Sequence, residues 1–105
     1  MNAVGIEIRR FVDDSQPGYV ECWLTDANGR EWSFVEKVPV VTAEDLDAES
    51  DYPRPGIIAC EVIGREIGTD EREVVVIDTD LPWGVEATTG ETRFVVLPEQ
   101  LQQWD

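Results

Sequence analysis

Val74-Val75-Val76-Ile77-Asp78-Thr79-Asp80-Leu81-Pro82-Trp83-Gly84 is the stretch on which the chain turns. Four β-branched residues in a row are stiff at χ1 and predict a strand buried on both faces. Asp78-Thr79-Asp80 ends that run. Pro82 then fixes φ and Gly84 admits a positive one, so Trp83 sits on a sharp corner between two backbone punctuators. A strand apolar on both faces needs a sheet around it.

The chain supplies one on either side. Immediately upstream, Ile57 to Ile67 reads as a long strand bent at Gly64, because a glycine inside a strand marks a bulge or a barrel corner. Gly68-Thr69-Asp70-Glu71 turns it into the apolar run. Downstream, Val85 and Ala87 lead to a turn at Thr88-Thr89-Gly90-Glu91. Thr92 to Leu97 follows as a last strand, with Phe94 and Val96 on one face and Val95 and Leu97 on the other. Pro98-Glu99-Gln100-Leu101 reads as a closing helical turn that docks Leu101 and Trp104 on the body.

The first third is a three-strand meander. Val4, Ile6 and Ile8 alternate with polar or small residues over Ala3 to Val12, and Val20, Cys22 and Leu24 alternate with Glu21, Trp23 and Thr25. Asp13-Asp14-Ser15-Gln16-Pro17-Gly18 separates these two strands as a turn. Asn28-Gly29 is a strong hairpin signal, and the return strand carries Trp32 and Phe34 on one face against Glu31, Ser33 and Val35 on the other. Beyond Lys37, Val38-Pro39-Val40-Val41 reads as extended. Thr42 to Ala48 reads as one short helix or 3₁₀ piece capped by Thr42, and Tyr52-Pro53-Arg54-Pro55-Gly56 as a stiff connector.

These elements predict a mostly β domain over 1–105: a small antiparallel barrel or two-layer sheet of about six strands. Residues 1–37 form the meander, 38–56 an acidic crossing connector and 57–101 the second strand set. One short helix or 3₁₀ segment and a C-terminal helical turn complete it. The length fits a single domain, and 42% hydrophobic residues suffice for a core.

The net charge is −15, from 23 acids against eight basic residues. No basic patch exists to replace phosphate counterions, so nucleic acid and anionic membrane surfaces are excluded as partners. A basic protein partner is compatible with that charge, as is a homodimer. No basic start or continuous apolar core marks a signal peptide, and no run approaches a membrane span. Two cysteines are too few for a disulfide framework, and Cys22 and Cys60 read as buried free thiols of a cytoplasmic protein.

Several chemistries are excluded. With no histidine, Ser-His and Cys-His nucleophile pairs, imidazole catalysis and nearly all common zinc sites are ruled out. No phosphate-binding glycine loop is present, and Lys37 lies in no such context. No cofactor, metal site or catalytic residue is expected. Asp78 and Asp80 share a side of a strand end and are the one carboxylate pair that an enzyme of this length has to offer; solvation of the strand exit is the plainer reading. Asp45, Asp47, Glu49 and Asp51 imitate a calcium loop, but Ser50 stands where its glycine belongs and Gly56 where its bidentate glutamate belongs.

The remaining candidates are partner-binding residues: the aromatics Trp23, Trp32 and Trp83 and the connector acids Glu44, Asp45, Asp47, Glu49 and Asp51. Aromatic side chains rimmed by acids form a protein-binding surface of the inhibitor or immunity-protein type. Two other functions fit the sequence: a ligand-binding barrel lined by Trp32, Phe34 and Trp83, and a carboxylate enzyme using Asp78 and Asp80.

Overall fold

A computed structural model describes residues 1–104. Seven strands account for 51% of the chain: β1 (Asn2–Asp13), β2 (Tyr19–Thr25), β3 (Glu31–Lys37), β4 (Arg54–Ile67), β5 (Glu73–Asp78), β6 (Arg93–Val96) and β7 (Leu101–Gln103). They form one antiparallel sheet in the order β3-β2-β1-β4-β5-β6, with β7 added to β1. The sheet curls into a half-barrel. One short helix, α1 (Val38–Val41), and a 3₁₀ turn at Pro98–Gln100 are the only helical pieces among the described residues.

Two devices curl the sheet. β1 slips register against β2 between Ile8 and Arg10 and again between Phe11 and Asp13, and each slip adds local twist. β4 pairs β1 over Arg54–Cys60 and then β5 over Glu61–Ile67, with a bulge between Val62 and Gly64. The glycine signal in that strand therefore marked a real irregularity. At ~3.3 Å per residue the fourteen residues of β4 would span about 46 Å, and the long dimension of the molecule is 43 Å.

The inner face collects Val4, Ile6, Ile8, Val20, Cys22, Leu24, Phe34, Ile58, Cys60, Val75, Ile77, Phe94 and Val96, all buried. The central run behaves as its branching implies: Val74, Val75 and Ile77 are buried and Val76 is half-buried. Among the described residues no ladder joins the open edges β3 and β6, and the few bonds near them run through flanking turns. Thr88 N–H donates to Ser33 O, their hydroxyls lie 2.6 Å apart, and Ala27 N–H donates to Val95 O. Rings fill the space between: Phe94 takes Trp32 and Phe34 edge-to-face at 5.3 and 5.8 Å.

Three elements differ from expectation. The helix lies at Val38–Val41, and Thr42 is its C-cap, not an N-cap. The reason is spacing: Val38 and Val41 lie one turn apart and both bury, while Pro39 sits in the first turn where its missing N–H costs nothing. Thr42 instead accepts a hydrogen bond from Glu44 N–H, which ends the helix in a side-chain turn. β4 begins at Arg54, so three of the five residues of the Tyr52–Gly56 connector are strand; Pro55 stands opposite Glu7. Finally, the closing turn continues into β7, which hydrogen-bonds β1 beside Asn2, Ala3 and Val4.

Candidate functional site

The Trp83 corner is built from its base upward. Thr79 is fully buried, its N–H donates to Thr92 O, and its hydroxyl donates to Val85 O at 2.7 Å. Val85 N–H returns a bond to Thr79 O, and Gly84, at φ 66°, donates to Asp80 O. Asp78, only 7% exposed, accepts from Asp80 N–H at 2.9 Å and from the Arg93 guanidinium at 3.4 Å. The base is thus pinned on both sides, and Leu81, Pro82 and Trp83 project from it into solvent. Trp83 is 44% exposed, and its ring meets Trp104 edge-to-face at 4.9 Å. Trp104 is itself tied by its N–H to Met1 O.

The structure separates the other tryptophans from this corner. Trp23 is half-buried on the outer face of the sheet, with the Arg9 guanidinium 4.9 Å from its ring. It borders an open groove of about 240 Å³ with Gly5, Glu7, Arg9, Thr25 and Gln100. Gln100 is already committed there, donating to Thr25 O and accepting from Leu97 N–H. Trp32 is engaged on every side: Nε1–H donates to Asp26, Arg30 lies 4.0 Å over the ring, and Phe94 closes its edge. Trp32 and Phe34 pack together on Phe94, while Trp83 meets Trp104.

The connector acids occupy yet another region. Glu44 pairs with Arg54 at 2.7 Å. Asp47 accepts from Glu49 N–H and from the Ser50 hydroxyl, so this carboxylate shapes its own loop. Tyr52 OH donates to Asp47 O and holds the loop down. Asp45, Glu49 and Asp51 remain exposed. Ala48 faces the end of β1, where Phe11, Val12, Asp13 and Asp14 border an open groove of about 360 Å³. Among the described residues no group of three or more acids or cysteines is arranged to hold a metal.

The thiols are chemically quiet. Burial pushes Cys22 up to about 12, with Glu36 and Glu21 adding to the effect, and burial with Glu61 pushes Cys60 up to about 11. Both are free thiols that stay protonated at neutral pH, so neither is an activated nucleophile.

Burial raises the Glu36 carboxyl above its ordinary 4.5, with Lys37 opposing the rise and Glu86 adding to it. Its folded form holds a proton at a pH where the unfolded chain has lost it. Stability therefore falls as pH rises through the window that opens at 4.5. Glu36→Gln is expected to be more stable than the parent chain at neutral pH and indistinguishable from it below the carboxylate range. Urea midpoints of both chains across pH check this, and a gap of unchanged size at every pH would refute it.

Comparison with protein-family models, with curated proteins and with solved structures finds no match to this chain. Sequence reading placed Trp83 on a corner but missed its partner, since nothing local links positions 83 and 104. The burial of Thr79 is equally hidden. A threonine flanked by two aspartates carries no sign that it will be buried.

Proposed function

We propose that this chain is a non-enzymatic interaction domain that takes a basic protein partner on an acidic surface, with the Trp83 corner as anchor. The carrying observation is how the cations are used. Six of the seven arginines, namely Arg9, Arg10, Arg54, Arg65, Arg72 and Arg93, sit in ion pairs with the chain's own carboxylates. Arg30 lies over Trp32. Acids outnumber bases almost three to one, so most carboxylates face solvent with no cation beside them. Such a field steers a basic partner and fades with salt.

Leu81, Pro82 and Trp83 supply the apolar part. A tryptophan fixed on a pinned corner loses little conformational freedom on binding, which is how interface anchors concentrate energy. An inhibitor or immunity-type protein that neutralises a basic toxin or nuclease is the concrete form of this reading. It belongs in the cytoplasm, where the free thiols of Cys22 and Cys60 persist.

The test is capture of partners from the native lysate at low and high salt, using the parent chain and Trp83→Ala. A partner that leaves as salt rises is expected. Trp83→Ala is expected to weaken its binding by about 2 kcal/mol or more while the thermal midpoint stays put. Capture that ignores salt, or a Trp83→Ala chain that loses only stability, would overturn the reading.

A further inference from the structure

β4 is paired on one edge at a time. Over Glu61–Ile67 it hydrogen-bonds β5, and among the described residues no other strand lies along it there. No turn or loop bond reaches the backbone of these seven residues either. One face of the segment is bare as well: a Cβ placed on Gly64 would meet nothing within 4 Å. Ile67, 70% exposed, and Ile63, 45% exposed, lie along the same segment. An uncovered edge carrying exposed branched residues is a template for one more strand.

The charges on this segment select what the added strand must be. Glu61 and Glu66 are exposed carboxylates without an ion-pair partner, whereas the only cation, Arg65, is tied to Glu73 at 3.1 Å. A second copy of a −15 chain would bring like charge to like. A lysine- or arginine-bearing strand would instead find opposite charges across the ladder. The carboxylates thus keep copies apart and admit a basic strand, which is selection by repulsion as well as attraction.

We infer that the Glu61–Ile67 edge of β4 seats an extended basic segment of a partner by strand addition, with Ile63 and Ile67 as its apolar contacts. This rests on the reading of a basic partner and assigns the mode and place of engagement, apart from the Trp83 corner.

The probe is a short synthetic peptide of alternating lysine and valine, compared with a lysine and glycine peptide of equal charge. Amide hydrogen exchange and backbone NMR shifts of the whole chain are followed during titration. The lysine–valine peptide is expected to slow exchange within Glu61–Ile67 and to bind about tenfold tighter than its glycine counterpart. The Ile63→Lys/Ile67→Lys chain, altered only at exposed positions, is expected to lose that preference at an unchanged thermal midpoint. Trp83→Ala is expected to keep it. Equal binding of the two peptides, or no slowing within β4, overturns strand addition. Shifts confined to the Trp83 corner also overturn it, yet leave the basic-partner reading standing.

Discussion

Phe34→Ala is expected to lower the unfolding free energy by about 3–5 kcal/mol, the range for deleting a buried aromatic from a tight core. Against a total of roughly 5–15 kcal/mol for a domain, that is a fifth or more of the stability. Phe34 is fully buried and packs edge-to-face on Phe94 across the gap between β3 and β6. Among the described residues no ladder joins those two edges, and only bonds through flanking turns tie them, so ring packing carries much of the closure. Urea unfolding measures the loss. A cost below about 1 kcal/mol would mean that the site collapses around the missing ring and that Phe34 is not what joins the edges.

The same residues show what the sequence made legible. Phe34 and Phe94 each stand on the apolar side of an alternating strand, and alternation needs only local information. That is why the meander, the apolar Val74–Ile77 run and the Gly64 irregularity are visible before any coordinates. The curl is another matter. Besides the β4 bulge it depends on two register slips in β1, and nothing in Arg9-Arg10 or Phe11-Val12 distinguishes a bulge from regular strand. β7 was hidden for a related reason: Leu101-Gln102-Gln103 has one apolar residue, and its pairing comes from the backbone of β1.

The candidate site divides in the same way. Composition reveals the acidic surplus, and turn chemistry reveals the corner at Pro82-Trp83-Gly84. The grouping is not legible, because it is set by contacts distant in sequence. Trp32 turns inward onto Phe94, Trp23 lies under Arg9, and Trp83 meets Trp104. Three tryptophans that sequence gathers into one set of aromatics therefore do three jobs. Of these three, only Trp83 counts as exposed, at 44%.

Gly56→Ala is the second large effect, and its sign is a contest between two terms. Alanine ordinarily gains about 0.4–1 kcal/mol over glycine by restricting the unfolded chain. Here its Cβ would lie 2.8 Å from Ile8 Cδ1, 2.9 Å from Ile8 Cγ1 and 2.9 Å from Val41 O. The isoleucine tip can shift. The carbonyl cannot easily, because it belongs to α1, a helix closed by Thr42 N–H on Val38 O and anchored by buried Val38 and Val41. Overpacking of about 1–3 kcal/mol then outweighs the entropic gain, and the variant is expected to unfold at lower urea. Adding Ile8→Val removes the Cδ1 contact but leaves Cγ1 and the carbonyl, so the double variant should recover only part of the loss. Full recovery would show that the Ile8 tip alone was the obstacle. Gly64→Ala supplies the contrast, since a Cβ there meets open space and its φ is not positive. It is expected to be neutral or stabilising by about 0.4–1 kcal/mol. The two glycines look alike in the sequence, and they are told apart by the helix carbonyl that crosses over one of them.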